Sequence, residues 1–214
     1  MDMNNRFLTF LTIIVAGMIA VEWMGLFNGI NAYVYAHTPS ITTLWVSILT
    51  KSASFGAFGL YVLLFLAWDL RERRLNFLTL NFILSLFIGM FFVMVLKALT
   101  AVPRPNEAYL NLSLAQALLN ADYFAFPSGH ATRASILACF LGERFPKYKP
   151  LWWLYAILIA FLRLLLHVHW FSDVLFALVL GLWISVIVES TAKLWLPIYN
   201  SIMQKLRLGV FRVE

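Results

Sequence analysis

NFLTLNFILSLFIGMFFVMVLKALTAVPRP, residues 76–105, runs 21 residues without a charge and then turns basic at Lys97 and Arg104. An uncharged apolar run of that length matches the roughly 20 residues a helix needs to cross the hydrocarbon core of a bilayer. The rest of the chain repeats the pattern. Of its 214 residues, 62% are hydrophobic and 12% charged, against about 25% charged in a soluble domain. Apolar segments at about 7–27, 44–68, 76–96, 129–142, 151–168 and 173–192 predict an all-α, six-helix integral membrane protein. Residues 1–214 read as a single membrane domain. The first segment is longer than the apolar core of a signal peptide, so it reads as a retained helix.

The net charge of +6 does not point to nucleic acid, because the basic residues fall between apolar segments rather than along one face. Arg6, Arg71, Arg73, Arg74, Arg144, Lys147, Lys149, Lys193, Lys205, Arg207 and Arg212 all fall on one side of six spans. The positive-inside rule makes that side, and both termini, cytoplasmic. Lys51, Lys97, Arg104, Arg133 and Arg163 lie toward the opposite face or within the spans. A charge inside a span costs roughly 2.5–3.5 kcal/mol on insertion scales. Several gathered near one face imply a shared anionic partner. Between spans, residues 28–43 read as a loop with a short interfacial piece, and 106–121 as an amphipathic interfacial helix.

Three clusters share the outer face. KALTAVPRP carries Lys97 and Arg104, PSGH spans Pro127–His130, and RLLLHVHWFSD runs from Arg163 to Asp173. They suggest phosphate chemistry. Lys97, Arg104 and Arg163 supply positive charge, and the two guanidiniums offer forked donors. Ser128 and Gly129 open a helix whose free N–H groups suit an anion. His169 and Asp173 stand four apart, so the carboxylate can orient the ring and leave the other nitrogen free as a nucleophile on phosphorus. His130 is then the general acid for the leaving oxygen and the base for water.

With all three motifs in order and both internal spacings matching, within 97–173, the chain resembles the type 2 phosphatidic acid phosphatase family, membrane relatives of vanadium haloperoxidases. The family pattern K-x6-R-P is filled by Lys97, Arg104 and Pro105. P-S-G-H is filled by Pro127, Ser128, Gly129 and His130, and R-x5-H-x3-D by Arg163, His169 and Asp173. The resemblance implies hydrolysis of a lipid phosphate or diphosphate through a phosphohistidine, without metal or cofactor, in a bacterial cytoplasmic (inner) membrane, with the site facing the periplasm or exterior. Membrane lipids are its surroundings and a lipid phosphate its partner; oligomeric state is not readable. Undecaprenyl diphosphate is the first substrate expectation. Phosphatidylglycerol phosphate, phosphatidate and lipid A phosphates, or lipid phosphotransfer, are the alternatives. A transporter or non-catalytic lipid-binding protein would not need His130, His169 and Asp173 together, and few charged residues other than Lys51 lie near a midplane.

One departure stands out. Leu162 replaces the Ser that usually precedes the motif's Arg, and restoring Ser there is expected to be tolerated. Remaining features read more plainly. Cys139 is a buried small hydrophobe. His167, in HVH, lacks the companions of a metal site. Arg133 either touches a head group or snorkels, Lys51 sits inside the second span, and Trp152, Trp153 and Trp170 read as interfacial aromatics.

Overall fold

The computed structural model describes residues 3–213, and among them every regular element is helical. Ten α-helices follow in order: α1 Met3–Trp23, α2 Asn28–His37, α3 Leu44–Lys51, α4 Phe55–Arg71, α5 Phe77–Thr100, α6 Leu114–Leu119, α7 Gly129–Arg144, α8 Lys149–Leu165, α9 Phe171–Ser190 and α10 Ala192–Lys205. Four segments, Arg6–Trp23, Phe77–Thr100, Pro146–Leu165 and Phe171–Ser190, are long and apolar enough to cross a membrane. The bent pair α3 and α4 passes the same test when taken together, giving up to five. The chain is a multi-pass membrane protein.

Two expected spans differ from simple rods. The segment at 44–68 breaks between Lys51 and Phe55 with a bend of 47°. Serines make the break: Ser54 Oγ accepts the Ala57 N–H to start α4, and Ser52 Oγ meets the Tyr155 hydroxyl at 2.9 Å. Lys51 therefore ends α3 and is exposed, rather than standing inside a continuous span. The segment at 129–142 becomes α7, which at 16 residues is not among the helices fit to span by length and composition. Eleven of its residues are buried, because α5, α8 and α9 surround it. A helix that meets protein instead of lipid can carry Thr132, Arg133 and Ser135 at no cost in exposure to hydrocarbon.

The connections also differ from expectation. Residues 28–43 hold the ten-residue α2. Residues 106–121 do not form one amphipathic helix; only Leu114–Leu119 is α-helical, started by a capping box between Ser113 and Gln116. Asn106 has φ +66°, and its carboxamide accepts the Tyr35 hydroxyl at 2.9 Å. Tyr123 holds the Ala108 carbonyl. These ties keep 106–113 irregular. Beyond the last expected segment, α10 docks on α5 by stacking Trp195 on Phe77.

α7 and α9 pack closely at Gly181. A Cβ there would lie 2.6 Å from Ser135 Cβ and 2.7 Å from the Thr132 carbonyl. Ser135 also donates to the Leu178 carbonyl at 2.7 Å. Gly181→Ala should therefore lower stability by about 1–3 kcal/mol through overpacking, whereas Gly17→Ala, which meets nothing within 4 Å, should not. Thermal unfolding of the two variants in one detergent checks this; equal midpoints would mean the helices part without cost.

Candidate active site

The end of α5 and the starts of α7 and α9 converge because their flanking backbones are tied pairwise. Ala125 N–H donates to the Val102 carbonyl at 2.8 Å, and Pro103 bridges Phe124. These ties join the first cluster to the second. Ser128 N–H donates to the Asp173 carbonyl at 3.2 Å, joining the second to the third. Trp170 Nε1–H donates to the Pro103 carbonyl at 2.8 Å, joining the third to the first. Trp170 is therefore a strut between motifs rather than only an interfacial aromatic.

The side chains follow from these ties. Lys97 is buried and its ammonium donates to the Phe124 carbonyl. Arg104 donates through Nη2 to the Asp122 carbonyl, while its buried Nε has no protein partner among the described residues. Arg163 Nε and Ser128 Oγ are likewise buried and unpartnered. Ser128 occupies the N-cap position of α7 without capping it through its side chain. Its own N–H is used on Asp173, so the anion-facing donors expected there reduce to the N–H groups of Gly129, His130 and Ala131, which lack intrahelical acceptors. His130 lies within electrostatic reach of Lys97, Arg104, Arg133 and Arg163.

His169 is buried in the connection between α8 and α9, and its Nδ1 lies 3.2 Å from Asp173 Oδ2. The same oxygen accepts the Trp170 N–H at 2.7 Å. Asp173 thus both caps α9 and orients the ring, leaving Nε2 as the lone-pair nitrogen. Burial, together with the positive charges of Arg163, Lys97 and Arg104, holds the His169 pKa well below its ordinary 6.5. A neutral imidazole is the form a nucleophile needs.

All eight candidate residues, Lys97, Arg104, Ser128, Gly129, His130, Arg163, His169 and Asp173, lie in these tied segments or beside them. Other features are set apart. Arg133 neither snorkels nor is free: it is buried, donates through Nε to the Ala53 carbonyl at 2.9 Å, and lies 4.0 Å from the Phe55 ring centroid. His167 Nε2 pairs with the Thr38 carbonyl at 2.9 Å, and the described residues hold no group of three or more metal-ligating side chains. Sequence reasoning missed Asn31, which brackets Ser172 with two hydrogen bonds of 2.9 Å. A lone Asn in a mixed connection carries no spacing signal.

Leu162 reverses an expectation. Its side chain is 1% exposed, in the core with Ala156, Ile159 and Leu165. A Ser there would exchange packing for an unpaired hydroxyl.

The model of the PAP2 superfamily matches residues 78–194. Among solved structures, the chain is similar to a transmembrane PAP2-type phosphatidylglycerolphosphate phosphatase from Bacillus subtilis. That match has a TM-score of 0.67 at 21% identity and covers 87% of this chain and 96% of the other. It is also similar to LpxE from Aquifex aeolicus, with a TM-score of 0.57 at 20% identity, covering 76% and 93%.

Two outcomes follow from the site. Leu162→Ser should destabilise by about 2–4 kcal/mol, read as a lowered unfolding midpoint; an unchanged midpoint would place the side chain outside the core. The neutral His169 ring gains a proton only as pH falls through its depressed pKa, so its titration midpoint should lie below that of a free imidazole. Removing a positive neighbour by Arg163→Gln should move that midpoint upward. Titration of 15N-labelled histidine in micelles, with His169→Gln to assign the signal, reads both.

Proposed function

This chain belongs to the PAP2 superfamily, and from that premise we propose that it is a membrane lipid-phosphate phosphatase. The observation that supports it best is the pairing of an oriented, buried imidazole with three buried, unpartnered groups, Ser128 Oγ, Arg104 Nε and Arg163 Nε. The first supplies a nucleophile, and the others are the donor set a phosphoryl group would satisfy.

In this reading His169 Nε2 attacks phosphorus, and His130 gives its proton to the departing lipid oxygen. The phosphoryl group then resides on His169. Water, deprotonated by His130, attacks it, releasing phosphate and restoring both rings. Lys97, Arg104, Arg163, Ser128 and the N–H groups at the start of α7, from Gly129, stabilise the charge on the non-bridging oxygens. Asp173 keeps its proton balance unchanged and holds the ring. No metal ion takes part in any step.

By the positive-inside rule, the basic residues favour cytoplasmic termini and cytoplasmic α4–α5 and α7–α8 connections, which supports a site facing the periplasm or exterior of a bacterial cytoplasmic membrane. α7 is then a sixth crossing, shielded by its neighbours. Undecaprenyl diphosphate is the leading substrate, on likeness of motifs alone. Phosphatidylglycerol phosphate, the substrate in the name of the Bacillus subtilis relative, is the next. Phosphatidate and transfer to a lipid alcohol remain alternatives.

The test is phosphate release in detergent micelles with EDTA, from undecaprenyl diphosphate, phosphatidylglycerol phosphate and phosphatidate side by side. Wild type should turn over at least one, and His169→Ala should lose about a thousandfold or more. Release undiminished by His169→Ala would remove the nucleophile. No release by wild type from any lipid would leave a binding or transport role.

A further inference from the structure

Glu22 is a carboxylate near the end of α1, only 8% exposed, with Oε2 lacking a partner among the described residues. Placing a carboxylate at the edge of an apolar helix is costly, and the catalytic reading above gives it no role. Its neighbours are specific. The Glu22 carboxylate lies beside the Ser172 hydroxyl and within electrostatic reach of Asp173. Asn31, on α2, closes the other side. Its Oδ1 accepts the Ser172 N–H and its Nδ2 donates to Ser172 Oγ, each at 2.9 Å.

We propose that Glu22, Asn31 and Ser172 form a positioning strap that ties α1 and α2 to the first turn of α9 and so holds Asp173 against His169. The Ser172 N–H is one of the first-turn donors that a helix leaves without an internal acceptor. Asn31 takes it, while Asp173 takes the Trp170 N–H from the other side of the turn. The turn is thus fixed twice. Its product, the His169–Asp173 contact, is 3.2 Å, at the long limit for an N–H···O bond. A small rotation of the turn would lose that contact, and the strap opposes the rotation. Glu22 and Asn31 both precede residue 78, where the family match begins. The N-terminal helices therefore contribute to the site without supplying a reacting group.

The proposal rests on the phosphatase reading for its kinetic consequence, and amide exchange tests it separately. Asn31→Ala and Glu22→Ala should lower kcat about tenfold to a hundredfold per folded enzyme, as small misplacements near chemistry do, with KM within about twofold. Glu22→Gln keeps an oxygen that can accept from Ser172, so it should restore kcat to within about threefold of wild type. Hydrogen–deuterium exchange over residues 169–176 in micelles should be faster in both alanine variants and near normal in Glu22→Gln. Wild-type kcat in the alanine variants, or unchanged exchange over 169–176, overturns the strap. Failure of Glu22→Gln to restore kcat overturns it as well. If wild type hydrolyses no lipid, the phosphatase reading fails instead, and the strap stands or falls on the exchange data.

Discussion

The hydrogen bond from the Ser128 N–H to the Asp173 carbonyl is the contact on which the site depends. It joins the starts of two helices that run side by side, and their shared end is where every candidate residue gathers. The contact requires α7 and α9 to approach closely, which is why Gly181 faces Thr132 and Ser135 without a side chain of its own. A helix pair held apart by a methyl group would carry Ser128 away from Asp173. Packing in the middle of the bundle therefore sets the geometry at its end.

Charge explains the next layer. Lys97, Arg104, Arg133 and Arg163 lie close enough to act on one ring, in an environment that disfavours each of them. The protein satisfies their donors unequally. Arg133 is engaged with a carbonyl and an aromatic face, and Lys97 with the Phe124 carbonyl. Arg104 and Arg163 each retain an unused Nε. At the opposite end the arrangement differs: Asp69 is fully buried but pairs with Arg144 at 3.1 Å and accepts the Asn76 N–H. That ion pair is self-sufficient and holds α4, α5 and α7 together. The contrast separates a charge cluster suited to a ligand from one that serves the fold.

Much of this was legible in sequence because the signals are local. The spans at 76–96, 151–168 and 173–192 correspond to α5, α8 and α9, since apolar runs of that length have few other solutions. The spacing of His169 and Asp173 was readable because one turn of helix joins them. What was not legible depended on partners far along the chain. The break at Ser52–Ser54 needs Tyr155 and Arg133. The irregular course of 106–113 needs Tyr35 and Tyr123. Leu162, beside a phosphate-binding candidate in sequence, turns out to face the core, because neighbours on a helix point in different directions.

α7 shows why composition alone misjudges such a helix. It carries the second motif at its start and Arg133 and Ser135 one and two turns later, so it reads as too polar and too short to face lipid. The surrounding helices remove that requirement. They provide acceptors for its polar groups, from Ala53 on the α3–α4 break to Leu178 on α9. A site that needs several cations and a polar helix start can exist in an apolar bundle only when its central helix is enclosed in this way. The outer helices meet the lipid, and the inner one is free to carry chemistry.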